Sequence, residues 1–100
     1  MELDFGIDPT VDTAFAIRIR LEAFQNVINE RIYQDLKYGG YDHDIVHTPN
    51  DWIAFITQQA GLAVDVPEED FLEQMLHVAA LAVAAYETLR LRQINEASDG

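Results

Sequence analysis

The spacing of apolar residues ahead of a Gly-Gly pair constrains this chain more than any other feature. Phe15, Ile19, Ala23 and Val27 recur every four residues, and Ile17, Leu21, Phe24, Ile28, Ile32 and Leu36 add a neighbouring stripe. A recurrence of four stacks side chains on one face of an α-helix, whereas a strand would need alternation. The spacing predicts a helix that starts between Thr10 and Thr13 and runs to about Lys37. Gly39 and Gly40 end it, because glycine enters the left-handed region without a Cβ clash. The apolar arc is wide enough to face two partners.

Two more helices are announced by their starts. Thr48, Pro49 and Asp51 form a capping-box pattern with Asp in place of the usual Glu or Gln. Behind it, Trp52, Ile53, Phe55 and Ile56 give an amphipathic face, on a helix expected to end near Ala60 or shortly after Gly61. Asp65, Pro67 and Glu68 repeat the same grammar and predict a third helix from about Val66 to Gln93. Phe71, Met75, Val78, Ala79, Ala82 and Tyr86 mark one side of it, and Leu72, Leu76 and Leu81 widen that side. Residues 78–85 hold five alanines, which permit close approach of another helix. Residues 1–9 are expected to form an irregular arm, 41–48 a loop and 95–100 a frayed tail. The expected architecture is all-α: one compact domain over residues 1–100, with three main helices. Apolar residues surround so much of the third helix that a homodimer is expected to complete the bundle.

Charge narrows the possible partners. Eighteen acidic against 6 basic side chains give a net charge of -12, which disfavours double-stranded nucleic acid and anionic membranes. A basic protein surface, or an anionic ligand met through a divalent cation, suits such a chain better. Cysteine is absent, so disulfides and thiolate chemistry are excluded and a reducing, cytoplasmic setting is the simplest expectation. The most apolar run, residues 78–85, is too short to span a membrane. The first eight residues carry three acids and no base, the reverse of a signal peptide's start.

Side chains suited to chemistry gather in three places. Glu30, Gln34 and Lys37 fall on one helical face, with Asp35 and Tyr38 beside them. An acid, an amide, a lysine and a ring can hold a metal, a base edge, a phosphate and a stacked base, or simply form a solvated helix end. On the third helix, Asp70, Glu73 and His77 lie along one stripe, as potential ligands of a divalent ion or as surface acids beside a half-buried histidine. His43, Asp44 and His47 make a smaller group in the loop, where Asp44 is expected to anchor the loop rather than bind metal. The sole serine, Ser98, sits in the tail, which leaves water as the nucleophile of any hydrolysis.

The run Glu30-Arg31-Ile32-Tyr33-Gln34-Asp35-Leu36-Lys37-Tyr38-Gly39-Gly40, with His43 following, resembles small MazG-like proteins. So does the stretch 71–87, with the Asp51-Trp52 helix start lying between the two. The resemblance implies an all-α nucleotide pyrophosphohydrolase of bacteria or their phages. Such an enzyme splits a nucleoside triphosphate into the monophosphate and pyrophosphate, with Mg²⁺ held by carboxylates of two adjacent helices. It makes Glu30, Asp35 and His77 candidate catalytic residues, and Gln34, Lys37 and Tyr38 candidate substrate-binding residues. Glu30, Asp70, Glu73 and His77 become candidate ligands of Mg²⁺ or Mn²⁺. The implied location is the cytoplasm of a bacterium or of a phage-infected host.

The family's metal motif is altered here. Gln58 and Gln59 stand where a Glu-x-x-Glu pair is expected, and Gln74 and His77 where a Glu-x-x-Asp pair is expected. A neutral amide coordinates Mg²⁺ far more weakly than a carboxylate does. The alternative expectation is therefore a catalytically degenerate, acidic helical protein, such as a phage-encoded inhibitor or regulator. It would dock on a basic protein surface through Asp42, Asp44, Asp65, Glu68, Glu69 and Asp70.

Overall fold

The computed structural model describes residues 13–99, of which 87% are helical with no strand among them. The expected arm at 1–9 lies outside the described residues. Four helices follow in order: α1 (Thr13–Tyr38), α2 (Tyr41–Asp44), α3 (Pro49–Leu62) and α4 (Glu68–Asp99).

Local chemistry sets most of the boundaries. The α1 helix stops where Gly39 and Gly40 turn to φ 102° and 66°, the left-handed region that other residues avoid. The α3 start is the expected capping box: the Asp51 N–H donates to Thr48 Oγ1 at 3.2 Å, and the Thr48 N–H donates to Asp51 Oδ2 at 2.8 Å. The third long helix begins later than its sequence grammar suggests. The N–H groups of Ala63, Val64 and Asp65 donate to the carbonyls of Ala60, Gly61 and Leu62. These bonds tighten the end of α3 and take Asp65 into that turn, so α4 starts at Glu68. Residues 41–44, expected within a loop, close one helical turn instead, through the Asp44 N–H to the Gly40 carbonyl at 3.0 Å and the Ile45 N–H to the Tyr41 carbonyl at 2.8 Å.

The far end of α4 also departs from expectation, because it continues to Asp99 rather than fraying at residue 95. Its last turns are tied back to the α2 region. Arg92 Nη2 donates to the carbonyls of Ile45 at 2.7 Å and His47 at 3.2 Å, and Asn95 Nδ2 donates to the Tyr41 hydroxyl at 3.3 Å.

Helix α4 is the spine: α1, α2 and α3 all pack against it, while α1 and α3 scarcely touch each other. Its buried stripe is Ala80, Ala84 and Thr88, four residues apart, where small side chains let the flanking helices come close. Among the described residues, Trp52 of α3 is the one large apolar side chain that is buried. The opposite side of α1 has no cover among the described residues. Leu21, Phe24, Ile28, Ile32 and Leu36 are between 52% and 83% exposed. The body measures 53 × 33 × 26 Å with a radius of gyration of 16.6 Å, above the roughly 13 Å of a closed 100-residue globule.

Candidate functional site

Because α1 and α3 diverge on either side of α4, they leave a cavity of about 450 Å³ between them. That volume is within the range of small-ligand sites. The C-terminal part of α1 contributes Glu30, Tyr33, Gln34, Asp35, Lys37 and Tyr38, as the spacing of Glu30, Gln34 and Lys37 predicts. Across from them, α3 contributes Trp52, Phe55, Gln58 and Gln59, and α4 contributes His77, Leu81 and Ala84.

Arg31, which sequence reasoning left without a role, organises the α1 wall. It is 9% exposed. Its Nη1 donates to Gln34 Oε1 at 3.0 Å and its Nη2 to Asp35 Oδ1 at 3.0 Å, with Glu87 Oε2 at 3.5 Å and Asp44 Oδ2 at 3.7 Å. One guanidinium thus joins α1, α2 and α4. Its Nε is buried without a hydrogen-bond partner. Asp44 is buried with it and lies 3.2 Å from His43 Nδ1, so it anchors the turn through side-chain pairing and is no part of an exposed acidic edge. Asp35 is committed to Arg31 in the same way.

Lys37 is fully exposed, 5.1 Å from the centre of the Tyr38 ring and 5.8 Å from that of Tyr33. Interaction with the Tyr38 side chain first, and Tyr33 second, holds its ammonium above the ordinary lysine range, so it stays charged. A row of rings continues from there. Tyr38 stacks on His43 at 5.8 Å, His43 meets His47 at 5.3 Å, and His47 meets Trp52 at 5.3 Å and Phe55 at 5.1 Å. Trp52 and Phe55 are site residues that the sequence reading passed over, because the apolar periodicity of α3 assigned both rings to a core face; His47 joins them from the loop group.

The candidate metal ligands are only partly brought together. His77 Nε2 lies 3.9 Å from Glu30 Oε1 and 4.0 Å from Glu73 Oε1. Asp70 is an exposed residue in the first turn of α4 and does not line the cavity. Among the described residues no group of three or more His, Asp or Glu is arranged to hold a metal ion. Where α3 meets α4 the facing polar groups are amides: Gln74 Nε2 donates to the Gln59 carbonyl at 2.7 Å and to Gln59 Oε1 at 3.1 Å.

No helix among the described residues is long and apolar enough to cross a membrane. No protein-family model matches this chain, and no curated protein or solved structure is significantly similar to it.

Proposed function

We propose that this chain is a MazG-like, nucleotide-handling helical protein that binds a nucleoside triphosphate in the cavity between α1, α3 and α4. The observation that supports this most is convergence. Glu30, Gln34, Asp35, Lys37, Tyr38 and His77, singled out from two distant stretches of sequence, line one cavity. Lys37 offers a fixed positive charge to phosphate. Tyr38 and His43 offer a stacked platform for a base, a contact tolerant of base identity. Gln34 presents an amide for a base edge, oriented by its bond from Arg31. His77 and Glu30, 3.9 Å apart, are acid–base groups of the cavity that no arginine engages. Asp35, bound to Arg31, positions the wall rather than reacting. The uncovered α1 face supports a homodimer, in which a second copy would bury Phe24, Ile28 and Ile32.

The reaction to assay is the one the resemblance implies, triphosphate to monophosphate and pyrophosphate. A panel of nucleoside triphosphates, with Mg²⁺, Mn²⁺ or chelator, reads pyrophosphate release and binding together. Binding that is lost in Lys37→Ala supports the reading, and release lost in Glu30→Gln extends it to catalysis. No binding of any nucleotide refutes it.

A second reading, docking on a basic protein surface, draws support from the exposure of Asp42, Asp65, Glu68, Glu69 and Asp70. Partner capture that fades with salt and with Asp42→Lys would favour it over the cavity.

A further inference from the structure

The amide pair at the α3–α4 junction bears on how the cavity neutralises its ligand. We infer that this cavity takes its phosphorylated ligand without a divalent cation, because Gln59, the lining residue at the α3–α4 junction, already has both its oxygens engaged by the Gln74 amide. The inference rests on the nucleotide reading above for the identity of the ligand, but not for the state of the junction.

Two oxygens of Gln59, its carbonyl and its Oε1, converge on one nitrogen at 2.7 and 3.1 Å. Convergent oxygens are what a hard cation requires. Here the centre they surround is a tethered N–H donor. An amide NH₂ has two protons, and both are matched to oxygens of Gln59, so neither residue is left seeking an ion. Both side chains are half-buried, which makes loss of these bonds costly. Admitting a cation would break them and supply only neutral ligands in return.

The charges around the cavity agree. Its α3 lining, Trp52, Phe55, Gln58 and Gln59, brings no carboxylate. Of the acids that do line it, Asp35 and Asp44 are paired with Arg31. Glu30 remains, and its neighbour at 3.9 Å is the His77 nitrogen. Nucleotide sites that hold Mg²⁺ do so with one or two carboxylates plus the phosphates. In this cavity, positive charge comes instead from Lys37, an exposed residue of its lining.

Two measurements on the full chain test this. Mn²⁺ alone, followed by electron paramagnetic resonance, should remain free in the presence of the wild-type protein. The Gln59→Glu, Gln74→Glu double variant, checked for helix content by circular dichroism, should gain Mn²⁺ binding. In calorimetry with ATP, the wild-type affinity should agree within about twofold between chelator and Mn²⁺. Tight Mn²⁺ binding by the wild type overturns the inference, as does a folded double variant that stays silent. A gain of about tenfold or more in ATP affinity with Mn²⁺ overturns it too. If ATP binds under neither condition the nucleotide reading fails, and the Mn²⁺ measurements still decide the nature of the junction.

Discussion

Replacing Arg31 with methionine should be among the most damaging single changes in the α1 wall, and the structure says where the damage falls. Three carboxylates share this guanidinium, but they are unequal. The side chains of Asp35 and Glu87 are 46% and 45% exposed, so water recovers them when the arginine goes. Asp44 is 13% exposed and keeps only His43. The cost is therefore that of one stranded buried carboxylate. Breaking a buried pair costs about 3–5 kcal/mol, and the lower end applies here. His43 remains beside Asp44, and removing Arg31 also removes its unpartnered Nε. A loss of about 3 kcal/mol lowers the melting temperature of a chain this size by roughly 12 °C or more. Adding Asp44→Leu should return stability to within about 1 kcal/mol of wild type, because an apolar pair leaves no charge behind. Thermal and urea unfolding by circular dichroism, at one fixed protein concentration, measures both changes. An Arg31→Met protein within about 1 kcal/mol of wild type would refute the reasoning. So would a double variant no more stable than the single one.

Thr48→Ala should cost about 1 kcal/mol by removing the α3 cap, read from the same unfolding curves. The Thr48 backbone N–H, and then its hydroxyl, hold the Asp51 carboxyl below the ordinary aspartate range. Its contribution is therefore present above that range and disappears as pH falls through the lowered value. Asp51→Asn should accordingly be less stable than wild type near neutrality, with the gap closing in acid; a gap that widens in acid contradicts the capping geometry. On α1, Ile28→Glu should give monomer mass in sedimentation equilibrium where the wild type gives dimer, since it puts a charge in the middle of the uncovered stripe. Monomeric wild type at micromolar concentration would remove the second copy from the proposal.

What was legible in the sequence was local. The Thr48–Asp51 box and the Gly39–Gly40 stop depend on contacts within a few residues, and both stand as read. The shared face of Glu30, Gln34 and Lys37 follows from helical period alone. What escaped depends on residues far apart. The turn at α2 is held by Arg31 and by the tail of α4, 45 and more residues away for Arg92. The start of α4 depends on where α3 ends: Asp65 is a good cap in isolation, but its backbone lies in the closing turn of α3, with its N–H on the Leu62 carbonyl. Arg31 itself sat in full view among polar neighbours. Its i, i+4 relation to Asp35, and to the half-buried Val27 one turn earlier, was the signal that it faces inward.

The placement of α4 fixes when this chain can fold at all during its synthesis. The spine on which α1, α2 and α3 rest is encoded after all three, so a ribosome delivers them before the surface that receives them exists. At about 5–20 residues per second, the 32 residues of α4 take a few seconds to follow. Through that interval α1 carries its wide apolar arc without the helix it packs on. Nascent copies on neighbouring ribosomes of one message would meet first through α1, and a chain cut short within α4 would leave three helices with no common support.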